Sequence, residues 1–469
     1  MSQSTAYDIV VVGCGMAGLA AANRGAELGH SVAVLEKAPK EHRGGHTQYS
    51  ESFRVPSADC DLEQFGYEFV VPDYTREDFY DDVMKQTSGR ADPELAETLV
   101  DNAGSTVEWL TERGAKWDME PLNVGYTAAR TFMEGEEIVA ALVEAAKKDG
   151  AEFFYRTEAR ELLREDGRIA GVRTITDDGD RVFEGDAVIV GAGGYESSTK
   201  QRTRYYGSDY DAMKVRGSRY NTGEGIDMLL KSGGKAEGQW GGAHMALIDS
   251  AAPEVEGGAN RIDGYQYGAL INKEGKRFVD EGEDARAHTY ARFGREIFEQ
   301  PGHEAYIIVD APLREHMRAT GPSEVVSADR IEDLLQELGC NEPERGAETI
   351  HELNRACDPD EFDPDSLDGN EATTVTPPKS NWAVPLDEPP FYGWSVTGGI
   401  TFGFGGVATD ARARVLDTVE RPVPGLYAAG NSVGGLFYDN YPGGTGLSNA
   451  AVFGKIAAEE ANERLQSTH

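Results

Sequence analysis

The sequence predicts an α/β fold whose parallel sheet is interrupted by an inserted α+β segment, and three observations carry that reading. A β-branched run at residues 7–12 passes through a Gly-rich turn into an alanine-rich helical stretch at 16–28. A second apolar run follows at 31–35, the order of a βαβ unit. A strand-like stretch over 152–190, with turns at 165–167 and 177–179, closes on Gly191-Ala192-Gly193-Gly194. Residues 241–394 differ in character, with short helical patterns, an acidic and proline-containing stretch at 358–378, and no Gly-rich βα turn. The chain is therefore read as 1–240, 241–394 and 395–469, the last part returning to the first. Helices are expected at 93–113 and 135–148, each ending near a glycine, and at 449–465.

At roughly 150 residues per domain, 469 residues give two or three domains and ample chain for a large core. Hydrophobic residues at 39% and charged residues at 27% exclude wholesale disorder, and no repeat period supports a solenoid. The longest apolar runs are far too short to span a bilayer, and residues 1–7 lack a basic or apolar leader, so a cytoplasmic location is expected. Acidic residues number 82 against 45 basic, a net charge of −37 that repels phosphates and argues against nucleic acid or an anionic membrane as partner. Lysine is scarce, 14 against 31 arginines, and the acid is not confined to a tail, which reads as adaptation to a high-salt cytoplasm. An anionic substrate stays compatible, because screening at high salt leaves only local charges in play. Cys14, Cys60, Cys340 and Cys357 form no C-x-x-C pair, so neither a disulfide framework nor a metal site is expected.

The strongest local motif is Gly13-Cys14-Gly15-Met16-Ala17-Gly18, between the first strand and the first helix. The first glycine permits the turn, the second lets backbone approach a pyrophosphate, and the third packs helix against strand, while the helix N-terminus offers N–H groups to phosphate. Glu36, at the end of the second strand, suits ribose hydroxyls and repels a 2′-phosphate; Lys37 follows it. Arg43-Gly44-Gly45-His46-Thr47 is a second Gly-rich element for which a nicotinamide enzyme has no obvious use. Near the C-terminus Gly430 and Asn431 follow a strand, and Gly446, Leu447 and Ser448 open the last helix, whose N-terminus suits an anionic isoalloxazine edge. Ala159, Ala192 and Gly193 complete the expected cofactor set.

In this order the four elements resemble the FAD-dependent fumarate reductase and succinate dehydrogenase flavoprotein superfamily over nearly the whole chain. Arg43-Gly44-Gly45, the stretch 272–281 containing Gly275-Lys276-Arg277-Phe278, Thr289-Tyr290-Ala291-Arg292, Glu299-Gln300-Pro301-Gly302 and Gly434-Gly435-Leu436-Phe437-Tyr438 look most like its tricarballylate dehydrogenase branch. The resemblance implies a Rossmann-like FAD-binding domain with an inserted α+β capping domain, and substrate held between cap and flavin. It implies hydride transfer between flavin N5 and one carbon, with proton transfer at the adjacent carbon. The proton-handling arginine is best matched by Arg286, with Asp284, Glu283 or Glu281 as its carboxylate relay and Tyr290 as the next acid/base candidate. His244 matches a substrate-binding histidine at the start of the cap. His46 falls where succinate dehydrogenases carry the histidine bonded covalently to FAD, but other branches place Asn there, and noncovalent FAD is expected.

Two departures bear on substrate. Tyr441, before Pro442-Gly443-Gly444, stands where fumarate reductases have an arginine, and residues 401–404, beginning with Thr401, hold no histidine before Gly405-Gly406-Val407. Fumarate is thereby disfavoured. The Tyr-Pro-Gly sequence also resembles 3-ketosteroid Δ1-dehydrogenases. Against a steroid, residues 273–296 concentrate basic groups, Arg286 and Arg292 among them, which suits a small polyanion held with Thr401 and Gly444. The expectation is a dehydrogenase converting tricarballylate to cis-aconitate. A ketosteroid-type or fumarate-reductase-like enoate enzyme, and a FAD-binding subunit without turnover, stay open. A separate electron acceptor or donor is expected, since no C-x-x-C-H motif or cysteine cluster is present.

Overall fold

The run Ile9-Val10-Val11-Val12 is apolar at every position, not at alternate ones, which a strand tolerates only when both of its faces are covered. In the computed structural model, which describes residues 4–50, 52–67, 74–117, 135–255, 260–359 and 361–468, this run lies in the strand Ser4–Val12. It pairs in parallel with Val32–Leu35 on one side and Gly179–Val190 on the other, with Val10 opposite both Ala33 and Val188. Val10, Val11, Val188, Ile189 and Val190 are fully buried. The sheet continues in parallel to Glu152–Phe154 at one edge and, on the other side, to Pro422–Ala428, with Arg414–Leu416 added antiparallel beyond it. The strands Glu158–Glu165 and Arg168–Thr176 meander antiparallel onto it. Helix Met16–Glu27 makes the first crossover and packs against the last helix, Thr445–Thr468. That helix begins earlier than residue 449, because the amide of Thr445 turns back onto the Pro442 carbonyl.

The second sheet is built around the long strand Phe391–Val407, which pairs antiparallel with Ala236–Asp249, Ala305–Val309 and Val326–Ala328, and in parallel with Lys214–Val215. Helices Arg286–Phe298, Ile331–Leu338 and Pro343–Ala356 accompany it, an α+β arrangement beside the α/β one. The expected divisions at 240/241 and 394/395 fall inside the strands Ala236–Asp249 and Phe391–Val407. Phe391–Val407 serves both cores: Trp394 and Val396 pack among the residues of the second sheet, whereas Val407 packs with Val10, Val12 and Val190 of the first. Among the described residues no helix is long and apolar enough to cross a membrane.

Candidate active site

A cleft runs from the Gly-rich turn to the second sheet. Its lining takes in both Gly-rich elements, Glu36 and the start of the last helix at one end, and His244, Arg286, Tyr290 and Tyr441 at the other, so a dinucleotide stretch and a substrate stretch share one cleft. At its first end the backbone does most of the work. Gly13 has φ +100°, and a Cβ on it would lie 2.5 Å from the Gly191 carbonyl oxygen; one on Gly18 would lie 2.0 Å from that of Gly13. A Cβ on Gly15 would meet nothing closer than 3.5 Å, so this middle glycine keeps the turn open toward the cleft and does not serve packing. Gly15 caps the helix without a side-chain bond, and Thr47 Oγ1 accepts from the Met16 amide at 2.8 Å, tying the two Gly-rich elements together.

Glu36 accepts from the Cys14 amide at 2.9 Å and the Ala38 amide at 2.8 Å, one on each oxygen. Each oxygen keeps a lone pair for a ribose hydroxyl, and burial raises the carboxyl above its ordinary range. Lys37 also lines the cleft, paired with Glu224 at 2.8 Å. Met16, Ala17, Gly45, His46, Ala159, Ala192, Gly193, Gly430, Asn431, Gly446 and Leu447 line it too.

Four expected cofactor residues do not line the cleft. Gly18 packs beneath the turn, Gly44 takes a left-handed turn against Val139, and Arg43 donates to the Lys40 carbonyl. Ser448 bonds both the amide and the carbonyl of Arg54, at 2.9 and 2.7 Å. The trough that remains, with two helix N-termini, a ribose-competent carboxylate and the unpartnered buried ring nitrogens of His46, fits FAD. Burial pushes His46 down to about 4.

The other end is built from side chains. His244 sits opposite Phe402, but the register slips between Ile400 and Phe402 and leaves Thr401 without a partner across the strands. A regular strand sends neighbours to opposite faces; the irregularity lets Thr401 and Phe402 both face the cleft. His244 is 2% exposed, and neither ring nitrogen has a hydrogen-bond partner, nor has Thr401 Oγ1. Burial, then the charges of Arg216 and Arg286, hold His244 well below its ordinary pKa, so its ring is neutral. It packs edge-on against Tyr290, and its centroid lies 4.8 Å from that of Tyr441. The hydroxyls of Tyr290 and Tyr441 are 2.5 Å apart.

Arg286 and Tyr290 are one turn apart on helix Arg286–Phe298, and the guanidinium lies 4.8 Å from the Tyr290 ring centre. The carboxylate that holds Arg286 is Asp263, 2.6 Å from Nε and 2.5 Å from Nη2. None of the three expected relays does so. Glu281 is fully buried with Arg277, Glu283 pairs with Arg292, and Asp284 faces Lys85 and His288. Arg292 is likewise not in the cleft: six positions after Arg286 it lies on another helix face, paired with Glu283 and Glu296. Gly444 lines the cleft, next to Arg54.

Three residues outside the expected set belong to the site. Arg216 reaches the lining because its amide bonds the Ile400 carbonyl at 2.8 Å, beside the strand irregularity. Arg261 lines the same end, 3.9 Å from Asp263. The Gly-rich run 217–225 just after Arg216 is a readable turn signal; Asp263 has no local signature.

This parallel sheet, with its paired Gly-rich elements lining one cleft together with a ribose-competent carboxylate, defines an α/β flavoprotein. The chain belongs to the FAD binding domain family, whose model matches residues 8–447. It is 28% identical to the NADH:fumarate oxidoreductase of Klebsiella pneumoniae over 98% of this chain and 48% of that protein. It is 27% identical to the fumarate reductase (cytochrome) of Shewanella frigidimarina over 97% of this chain and 76% of that protein. The chain thus spans about half the length of the first relative and three quarters of the second. Its fold matches the 3-ketosteroid Δ1-dehydrogenase of Sterolibacterium denitrificans with a TM-score of 0.76 at 20% identity, covering 98% of this chain and all of that one.

Proposed function

We propose that the protein oxidises or reduces a CH–CH bond of a small polycarboxylate, with tricarballylate to cis-aconitate as the leading case. One observation carries this reading: Arg216, Arg261 and Arg286 line the second end of the cleft, whereas its lining carboxylates, Glu36, Glu158 and Glu224, belong to the Gly-rich end. In a chain of net charge −37 such a local excess of guanidinium suits a ligand with several carboxylates. FAD bound in the cleft supplies the hydride acceptor.

Arg216 and Arg261 clamp carboxylates, and neutral His244 and Thr401 offer the substrate their unpartnered polar atoms. The Tyr290–Tyr441 pair orients a further oxygen. Arg286 receives the proton from the adjacent carbon while passing one to Asp263, so the guanidinium never has to persist in its neutral form. The substrate loses one hydride and one proton. The electrons leave to a separate acceptor, and the four unpaired thiols suit a reducing, cytoplasmic setting.

A second reading, a ketosteroid-type enzyme, is favoured by the hydrogen-bonded tyrosine pair, which would suit a carbonyl oxygen. Turnover with an artificial dye acceptor at high salt separates the two. The polycarboxylate reading expects tricarballylate to support dye reduction and a 4-ene-3-ketosteroid not to; the reverse result overturns it.

A further inference from the structure

His288 lies on the helix Arg286–Phe298 between Arg286 and Tyr290, with a side chain 10% exposed. Its Nε2 is 3.7 Å from Asp82 and its Nδ1 3.3 Å from Asp284. Asp82 belongs to a different part of the chain, the helix Arg76–Gln86, and also takes the Tyr74 hydroxyl at 2.7 Å and Arg54 Nη1 at 2.5 Å. Lys85 of that same helix reaches Asp284 at 2.9 Å. Arg54 in turn donates through Nε to the Gly443 carbonyl at 2.8 Å, two residues past Tyr441. The His288 carbonyl accepts from Asn440 Nδ2 at 2.5 Å, one residue before Tyr441.

Arg54, Asp82, His288, Asp284 and Lys85 therefore form a row of alternating charge across the seam between the two helices. The other charged groups nearby are engaged elsewhere: Arg286 with Asp263, Arg292 with Glu283 and Glu296, and Asp439 of the neighbouring loop with Arg90. The Tyr441 hydroxyl is bonded to Tyr290.

We infer that His288 is a positioning residue: as an imidazolium it bridges Asp82 and Asp284, fastens the helix Arg286–Phe298 to the helix Arg76–Gln86, and so holds Arg286 and Tyr290 against Tyr441. A neutral imidazole carries no charge to pair with either carboxylate; the imidazolium forms an ion pair with both, through Nδ1 at 3.3 Å and Nε2 at 3.7 Å. The carboxylates raise the His288 pKa in spite of burial, and the same pairing lowers Asp82. A histidine whose folded pKa is raised contributes its stabilisation in full below the ordinary value near 6.5 and loses it as pH rises through the folded value. The fastening is therefore complete in mild acid and is released on the alkaline side.

The inference rests on the proposed function only for the roles given to Arg286 and Tyr290. Its test needs no substrate, so a failed substrate assignment leaves it decidable. Hydrogen exchange of segment 286–298 is followed in the FAD-loaded protein between pH 6 and 10 at constant high salt, with rates corrected for intrinsic pH dependence. Wild-type protection should fall about tenfold or more, the equivalent of one pKa unit of differential interaction between the two forms of His288, on the alkaline side of the ordinary histidine range. His288→Gln should be weakly protected at every pH. His288→Lys, which keeps a cation between the carboxylates, should stay protected throughout, a rescue that simple packing would not give. Asp82→Asn, which leaves His288 in place, should move the wild-type transition to lower pH. Protection independent of pH in the wild type, or a His288→Gln protein with wild-type protection and transition, overturns the inference.

Discussion

The two ends of the cleft recognise their ligands by different means. At the Gly-rich end, recognition belongs to the backbone: a turn that Gly13 and Gly18 make possible, a helix N-terminus whose N-cap, Gly15, brings no side chain, and one carboxylate, Glu36, already fixed by two amides. At the other end it belongs to side chains from distant segments: Arg216, His244, Arg261, Arg286, Tyr290, Thr401 and Tyr441. Carboxylates face the first end and guanidinium groups the second. A backbone site tolerates only one kind of ligand, here a dinucleotide, whereas a side-chain site can be retuned residue by residue. That is how one fold serves fumarate, steroid and other substrates in the proteins it resembles.

The sharpest break of this contrast is Arg286→Ala. It should keep FAD, seen in the flavin absorbance, while turnover falls by about 10²-fold or more, the range for loss of a positioned proton-transfer group; wild-type turnover would remove Arg286 from the chemistry. Next come paired substitutions at opposite ends. Arg216→Gln or Arg261→Gln should raise KM for tricarballylate about ten- to hundredfold, the scale of a missing charge-assisted hydrogen bond, with FAD content unchanged. Glu36→Gln should do the opposite, weakening FAD retention on dilution while leaving the KM of the loaded enzyme alone. Equal effects of both on both readouts would abolish the distinction between the ends.

A smaller effect concerns a carboxyl buried beside the strand Phe391–Val407. Glu196 is fully buried, accepts from the Gly403 amide at 3.1 Å through one oxygen, and is pushed up to about 7 by burial. A carboxyl raised in the folded state binds its proton more tightly there than in the unfolded chain. Its stabilisation is therefore full below about 4.5 and is lost as pH rises to about 7. Glu196→Gln should raise stability above pH 7 by on the order of 1–3 kcal/mol in denaturant titrations, and by little at pH 4. Least site-specific is salt. With a net charge of −37, the thermal midpoint should rise by several degrees as KCl goes from about 0.1 to 1 M, since the screening length shortens from about 10 to 3 Å.

Where a residue acts through local backbone geometry, the sequence discloses it. The turn at Gly13–Gly18, the helices Pro93–Glu112 and Gly135–Lys148, and the cofactor-facing Glu36 all follow from spacing within a few residues. His244, Arg286, Tyr290 and Tyr441 were reachable through resemblance, and the structure brings all four to one end of the cleft. Asp263 was not, because its partner lies 23 positions away and no periodicity records that distance. Arg292 misleads for the converse reason: basic density along the chain does not say which helix face a residue occupies, and here it faces Glu283 and Glu296. The 394/395 division falls within a strand because Phe391–Val407 belongs to both cores at once, which composition along the chain cannot register, and the 240/241 division falls within Ala236–Asp249, the strand paired along it.

The most direct test of the central claim is anaerobic titration of the yellow FAD-loaded protein at high salt with tricarballylate, succinate and a 3-ketosteroid, following the flavin absorbance. The arginine-lined cleft predicts bleaching by tricarballylate or, if the enzyme runs as a reductase, reoxidation of chemically reduced flavin by cis-aconitate. Bleaching by the steroid alone would contradict the account and place the tyrosine pair at the centre of the chemistry.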